Sequence, residues 1–284
     1  MGSFVMRSVN RKAVEACCLL ALCTSLQADV TITRLANAGV IISDGEARVM
    51  IDGMVVEPYA VYGGLPETAI ADYSSASGDF AGVDLALVSH RHHEHNQPSF
   101  ACTFLKASRA TEFYASEQVV GLVREFCREL VKTSGRVNVI DPQYGLPEVI
   151  EMDGIRVTAF LLSHGAKYAR INNYGYLVEI GGMKVLHVGD AAFDAADFEK
   201  AGLDQFKIDI ALIPIAYFQP GPGSEIIQRF MNAPVKIAMH IPPGELEEIQ
   251  GLMAEGHPQV IILEQPLQQL RFSAAAPPPP PPEH

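Results

Sequence analysis

The chain of 284 residues contains no tryptophan, only five cysteines and a deficit of basic side chains. Its 21 Lys+Arg stand against 33 Asp+Glu, a formal net charge of −12, which disfavours nucleic acid or an anionic membrane surface as a partner. No apolar run reaches the roughly 18 residues that span a bilayer, so stable membrane insertion is not expected. Apolar residues nevertheless make up 48% of the chain, enough for a sizeable core. These features exclude a fibre, a membrane channel and a typical nucleic-acid binder.

Residues 1–28 are typical of a secretory signal peptide. Three basic residues precede a short apolar stretch from Ala16 to Cys23, and Ala28 provides a small residue before Asp29. The alternative is an N-terminal helix packed on the domain. Cleavage would place a mature domain of residues 29–273 outside the cytoplasm, in the bacterial periplasm.

Removal of the signal would leave two cysteines, Cys102 and Cys127. In an oxidising compartment the two thiols could form a disulfide. Both lie in predicted helices, and their spacing does not tell whether they meet, so two separate buried thiols are an equal alternative.

Residues 274–284 contain six consecutive prolines, Pro277 to Pro282. Such a run cannot join a helix or a central strand and favours polyproline II. We interpret this segment as a solvated tail, with a ligand for a proline-binding partner as the alternative.

Strands and helices alternate between these two ends without a break that would indicate a linker. Helical spacing of apolar residues predicts helices over 100–108, 116–132 and 224–230, with another from Gly244. Apolar runs bounded by turn residues predict strands at 31–35, 39–42, 47–51, 83–88, 155–162, 174–180, 184–188, 208–213, 235–239 and 259–263. Gly181-Gly182, between two of these strands, is typical of a two-residue hairpin. The pattern alone favours an α+β or α/β domain with central sheets and outer helices.

Four of the nine histidines fall within six positions directly after an apolar strand. In an extended segment alternate side chains share a face, so His90 and His92 point the same way. If the chain turns at Glu94, that carboxylate and His95 can approach the same region. Imidazole and carboxylate suit zinc, with iron or manganese as alternatives. Packing so many ionisable groups behind an apolar strand is costly unless something binds them, so we favour a metal site over a solvated polar loop.

The segment His90-x-His92-x-Glu94-His95 resembles the His-x-His-x-Asp-His signature of the metallo-β-lactamase superfamily of hydrolases. The family's other motifs occur in the family's order, and the resemblance extends from about Val30 to Phe272. The residues that match them are Asp52, His164, Asp190 and His240. The segments 35–40 and 59–66 are most similar to a secreted bacterial branch, akin to ascorbate-6-phosphate lactonase-like and N-acyl-phosphatidylethanolamine phospholipase-like hydrolases.

This resemblance implies an α/β fold, a four-layer αββα sandwich of two mixed β-sheets with helices on the outside. It also implies two metal ions, Zn²⁺ with Mn²⁺ or Fe²⁺ as alternatives. One would be held by His90, His92 and His164 and the other by Glu94, His95 and His240, with Asp190 bridging and Asp52 supporting the metal loop. A metal-bridging hydroxide would then attack a lactone, ester or phosphodiester, with Glu94 and Asp190 as the catalytic carboxylates.

Glu94 departs from the family pattern, which has aspartate at this position. The extra methylene carries the carboxylate about 1.5 Å further, whereas metal–ligand distances are fixed to within about 0.2 Å. The backbone must adjust, or Glu94 must bind differently. A second hypothesis is therefore a non-catalytic metal- or ligand-binding member of the same fold.

Other polar residues differ in the roles that the sequence predicts for them. Asn173 and Tyr217 are candidate contacts to a small-molecule substrate. His93 is expected to face away from His92, and His187 to be buried and structural. His257 and His284 are expected at the surface. The sequence predicts neither the substrate nor the oligomeric state.

Overall fold

Two β-sheets of seven strands each stand at the centre of the computed structural model, which describes residues 28–273. The predicted signal peptide, except Ala28, and the proline-rich tail lie outside the described residues. The strands of the first sheet are β1 (Val30–Arg34), β2 (Val40–Ser43), β3 (Arg48–Ile51), β4 (Leu85–Leu87), β5 (Glu112–Ala115), β6 (Val137–Val139) and β14 (Gln269–Phe272). Those of the second are β7 (Glu148–Met152), β8 (Ile155–Ser163), β9 (Asn172–Ile180), β10 (Met183–His187), β11 (Ile210–Pro214), β12 (Val235–Met239) and β13 (Ile261–Ile262).

Both sheets are mixed. In the first, with the order β14-β1-β2-β3-β4-β5-β6, β14 and β1 to β3 pair antiparallel and β3 to β6 pair parallel. In the second, with the order β13-β12-β11-β10-β9-β8-β7, β7 to β10 pair antiparallel and β10 to β13 pair parallel. The parallel strands of each sheet direct their carboxyl ends to one edge.

Within residues 28–273, six α-helices cover the outer faces of the sheets. They are α1 (Glu67–Ser75), α2 (Pro98–Ala107), α3 (Glu117–Thr133), α4 (Ala195–Lys200), α5 (Pro222–Phe230) and α6 (Leu246–Gly256). None of the helices in residues 28–273 has the length and apolar character needed to cross a membrane.

Alternation along the strands produces the layers. In β3, Val49 and Ile51 face the core between the two sheets, whereas Met50 packs under α1 to α3. In β11, Leu212 faces the same central core and Ile213 packs under α4 to α6. Successive strand residues point to opposite faces, so sheets buried on both sides read as continuous apolar runs. The predicted αββα sandwich is confirmed.

The hairpin at Gly181-Gly182 is confirmed. Ile180 of β9 pairs with Met183 of β10, and both glycines have left-handed backbone angles, with φ of 56° and 79°. A two-residue turn of this hand needs positive φ at both central positions, which glycine adopts without strain.

Cys102 of α2 and Cys127 of α3 form a disulfide, with their Cα atoms 5.6 Å apart. The two helices pack side by side on the first sheet, and both cysteines are buried. At Cys127 the backbone leaves helical geometry (φ −131°, ψ 41°), which interrupts α3 at the bridge. The alternative of two separate thiols is therefore wrong.

Helices α1 and α4 and strands β5, β7 and β14 were not predicted from the sequence. Helix α1 lies within residues 59–77, which carry no clear helical pattern, since only Ala69 and Tyr73 of the helix are buried. Strand β14 pairs with β1, so that Val30 faces Phe272, and Ser273 donates a hydrogen bond to Asp29 beside it. The four residues of β14 form a strand because they pair with β1, which is distant in the chain.

Candidate metal centre

The predicted ligands lie just beyond the carboxyl ends of strands. His90 follows β4 by three residues, Asp190 follows β10 by three, and His164 and His240 directly follow β8 and β12. His92 and His95 are on the same loop as His90. This arrangement brings side chains from both sheets to one edge of the sandwich, although they are up to 150 residues apart (His90 and His240) in the chain.

One group of donors consists of His90, His92, His164 and Asp190. Nδ1 of His92 lies 3.0 Å from Nε2 of His90 and 3.1 Å from Nε2 of His164. Oδ2 of Asp190 lies 3.8 Å from Nε2 of His90 and 3.9 Å from Nε2 of His164. Three imidazoles and one carboxylate oxygen thus face a common point.

A second group consists of His95, Asp190 and His240. Nε2 of His95 lies 3.1 Å from Nε2 of His240. Oδ1 of Asp190 lies 3.3 Å from Nε2 of His95 and 3.4 Å from Nε2 of His240. Asp190 therefore directs one carboxylate oxygen to each group.

These spacings fit a bound cation. Ligand atoms at about 2.0–2.1 Å from a tetrahedral zinc ion are about 3.4 Å apart. The separations in the second group, 3.1 to 3.4 Å, are close to that value. The donor set of imidazole and carboxylate, without thiolate, suits Zn²⁺ and also Mn²⁺ or Fe²⁺.

Asp52 fixes the orientation of the metal loop. It is fully buried after β3, and its carboxylate accepts hydrogen bonds from the Ser89 amide and hydroxyl at 2.6 Å each. Its Oδ2 also lies 2.8 Å from Nδ1 of His95. A proton on Nδ1 leaves Nε2 of His95 free to bind a metal, which is the usual role of a carboxylate behind a histidine ligand. Asp52 thus supports the loop, as predicted, and Ser89 was missed as its partner.

A second set of contacts orients Asp190. Its amide donates to Oδ1 of Asn173 at 2.9 Å, and the preceding Gly189 has φ of 56°. A Cβ at Gly189 would lie 2.3 Å from Oδ1 of Asn173, so only glycine fits there. The Gly189 amide donates to Nδ1 of His187, whose Nε2 lies 3.1 Å from the Ala38 carbonyl. His187 is buried and holds the turn, in agreement with the structural role predicted for it.

The structure does not bring Glu94 into either group. Its Oε1 lies 3.9 Å from Nδ1 of His92, a ligand of the first group, and not within the group around His95. The Glu94 carbonyl accepts a hydrogen bond from Nδ2 of Asn37 at 2.9 Å, which holds the backbone in place. The prediction of Glu94 as a ligand of the second metal is therefore not supported by the geometry.

Burial and nearby charges shift the pKa values of the candidate histidine ligands in different directions. Burial lowers the pKa of His90, His92 and His164, which favours the neutral imidazole that binds metals. Burial also opposes charge on His95, but the carboxylates of Asp190 and Asp52 outweigh it and raise the pKa of His95 to about 10.

Aromatic side chains surround the mouth of the site. Tyr62 lies edge-on to His240 with ring centroids 4.5 Å apart, and Tyr168 contacts His92 and His164 at 4.8 and 4.7 Å. Burial, then the negative charges of Asp190 and Glu94, raise the pKa of Tyr62 to about 12, so its hydroxyl remains a donor at neutral pH. No pattern in the sequence indicates Tyr168, and Tyr62 lies in the segment 59–66, which is singled out only through the family resemblance.

Two predicted substrate contacts are corrected by burial. Asn173 is fully buried, and its amide nitrogen donates to the carbonyls of Val188 and Leu162. Tyr217 is also buried, and its hydroxyl donates to the Ala191 carbonyl at 2.6 Å. Both therefore support the loop that carries Asp190 and do not reach the opening.

The remaining histidines lie outside both groups. His93 is exposed against Tyr59, with ring centroids 4.7 Å apart, and faces away from the metal centre as expected. His257 is half-buried, with Nε2 3.1 Å from the Phe218 carbonyl, so it is not a free surface residue. His284 lies outside the described residues.

The chain is similar in sequence to a known protein family and to several metal-dependent hydrolases. The profile of a family described as the β-lactamase superfamily domain matches residues 31–230. A metal-dependent hydrolase of Thermococcus onnurineus is 28% identical over 189 residues, which are 64% of this chain and 79% of the relative. A metal-dependent hydrolase of Heliobacterium modesticaldum is 28% identical over 221 residues, 74% of this chain and 81% of the relative.

Solved structures share the fold. The crystal structure of a possible metal-dependent hydrolase from Veillonella parvula superposes with a TM-score of 0.60 at 17% identity, covering 86% of this chain and 99% of that one. Zn²⁺-bound PqqB from Methylobacterium extorquens gives a TM-score of 0.53 at 13% identity, covering 85% of this chain and 99% of that one. At these identities the likeness concerns the fold alone.

Proposed function

The chain belongs to the β-lactamase superfamily and is a metal-dependent hydrolase, and from this premise we propose that it uses two zinc ions to hydrolyse a small ester, lactone or phosphodiester. The observation that carries the proposal is the position of Asp190, with one carboxylate oxygen in each donor group. Zinc ions held by these groups would lower the pKa of a water towards neutrality and stabilise negative charge that develops on the substrate.

Histidine and aspartate side chains would hold the two ions. His90, His92 and His164 would hold one ion and His95 and His240 the other, with Asp190 shared. Aspartate and histidine supply every donor, and in residues 28–273 no free cysteine accompanies them, since both cysteines there are joined in the disulfide.

Tyr62 is suited to orient the substrate. Its ring stands against His240, and its raised pKa keeps the hydroxyl protonated, so it can donate a hydrogen bond to a substrate oxygen at the mouth. Asp52 keeps His95 in the tautomer that presents Nε2 to the metal.

The alternative, a non-catalytic member with a site altered at Glu94, rests on the position of that side chain. Each donor group nevertheless retains at least three donors without Glu94. Three protein ligands and an open position are typical of catalytic zinc sites, which favours the hydrolase.

A matched pair of histidine variants tests the proposal. His92→Ala should lower the zinc content by about one ion per chain and reduce turnover at least 100-fold, because it removes a donor of the first group. His93→Ala, one residue along and exposed, should keep both metal content and turnover within about twofold. Zinc would be measured by elemental mass spectrometry, and turnover on p-nitrophenyl acetate, a lactone and bis(p-nitrophenyl) phosphate. Full turnover in His92→Ala, or none with any substrate in zinc-loaded natural protein, would contradict the proposal.

A location in the bacterial periplasm is part of the proposal. It is supported by the signal-like composition of residues 1–28 and by the Cys102–Cys127 disulfide, because such bridges persist in oxidising compartments. Osmotic-shock fractionation of cells producing the full chain should release it with the periplasmic fraction. Recovery of a reduced, uncleaved chain in the cytoplasm would refute this location.

A further inference from the structure

An apolar groove of about 530 Å³ lies between α6 and the segment that follows β11. Ile215 and Phe218 form one wall, and Ile249, Leu252 and Met253 of α6 form the other. Leu252 is 62% exposed, so the groove presents apolar surface to solvent. The volume is within the range of small-molecule sites.

One wall of the groove leaves the sheet next to the strands that carry two of the metal ligands. Strand β11 lies between β10, which leads to Asp190, and β12, which leads to His240, and all three are parallel. Ile215, the first residue after β11, therefore leaves the sheet between the strands that carry these two ligands.

Two further features place the walls of the groove near the site. Tyr217, within the wall segment, donates a hydrogen bond to the carbonyl of Ala191, the residue after Asp190. Glu245, at the start of the other wall, follows the ligand His240 by five residues in the chain.

The groove is long and carries only negative charge at its rim. Its residues follow α6 from Glu245 to His257, a length of about 16–18 Å at 1.5 Å per residue. The groove is lined by Glu245, Glu248 and Glu255. No lysine or arginine of residues 28–273 lines it. An anionic tail would be repelled, whereas an uncharged aliphatic chain would bury apolar surface.

We propose that this groove binds an uncharged aliphatic chain of the substrate, so that the enzyme prefers medium- and long-chain esters or lactones to short-chain ones. The inference rests on the proposed function, because the chain must be attached to the group hydrolysed at the metal centre. It assigns a specificity-determining role to Leu252.

The test compares p-nitrophenyl acetate, octanoate and dodecanoate with the zinc-loaded full chain. The natural protein should show kcat/KM at least tenfold higher for octanoate than for acetate, since each buried methylene adds to binding. Leu252→Asp should remove this preference through a higher KM for octanoate and leave acetate within about twofold. Leu146→Asp is the matched control, since Leu146 is 69% exposed and outside this groove.

Each outcome separates the inference from the function on which it rests. Equal kcat/KM for acetate and octanoate, or the same effect from both variants, would overturn the groove inference and leave the hydrolase intact. If no ester is hydrolysed, binding of neutral N-phenyl-1-naphthylamine tests whether the groove accepts an uncharged apolar ligand. Displacement by 1-octanol and at least tenfold weaker binding in Leu252→Asp would support an aliphatic site, and binding unaffected by Leu252→Asp would refute it.

Discussion

Glu94 lies outside both groups of candidate metal donors. Its carboxylate lies beside His92 rather than with His95 and His240, which leaves three protein donors in the second group and four in the first. Because affinity follows the number and placement of donors, we expect the two sites to differ, with the first filling before the second.

Glu94→Asp should raise the affinity for the second zinc ion about tenfold or more, since the shorter side chain restores the carboxylate position of the family motif. A competitive titration against a chromophoric chelator would measure both affinities. Glu94→Gln keeps the length and removes the charge, so both affinities should stay within about threefold. A loss of the second ion in Glu94→Gln would instead show that Glu94 already serves as a ligand.

The loop after β10 shows how the backbone of one element places a metal ligand. Gly189 adopts φ of 56° against Oδ1 of Asn173, and this turn places Asp190 between the two donor groups. The position of Asp190 therefore depends on the backbone geometry of the loop that carries it.

Gly189→Ala should disrupt the turn, because its Cβ would lie 2.3 Å from Asn173, and should lower zinc content well below that of the natural protein. Gly45→Ala is a suitable control. Gly45 has φ of 94° in an exposed hairpin, and its Cβ would meet no atom within 4 Å, so only a backbone penalty of about 1 kcal/mol is expected, with full zinc content. Urea unfolding and elemental analysis of both variants would distinguish them. Normal zinc content in Gly189→Ala would show that the turn does not position Asp190.

At the scale of the whole molecule, the metal centre joins the two sheets. His90, His92 and His95 come from the first sheet, whereas His164, Asp190 and His240 come from the second. Bound ions would therefore link two layers that otherwise contact one another through apolar side chains.

Removal of metal with a chelator should lower the melting temperature, because ligands that bind only the folded state stabilise it. At a free zinc concentration 1,000 times the dissociation constant, the stabilisation is about 4 kcal/mol per site. Differential scanning calorimetry with and without chelator would measure the shift, and readdition of zinc should reverse it. His92→Ala should show a smaller shift than the natural protein. An unchanged melting temperature after complete metal removal would contradict a cross-sheet link.

Local patterns predicted the buried strands and the donors around His90, whereas the four-layer sandwich and the ligands His164, Asp190 and His240 followed from the family resemblance. Apolar runs identify doubly buried strands, and the spacing of His90 and His92 already places them on one face. The position of Glu94 depends on a hydrogen bond from Asn37, more than 50 residues away, and could not be predicted. The aromatic mouth formed by Tyr62 and Tyr168 also arises from loops that meet only in the folded chain.

The pairing of β1 with β14 has a consequence for how the chain could be rearranged. Val30 faces Phe272, and Asp29 accepts a hydrogen bond from Ser273, so the two segments lie side by side at one edge of the first sheet. A short peptide could join them, and new ends could be opened at the exposed hairpin around Gly45, far along the strands from the ligand loops. The order in which the strands are synthesised would change while the sheets and the ligand loops stay the same, so the domain is a candidate for circular permutation.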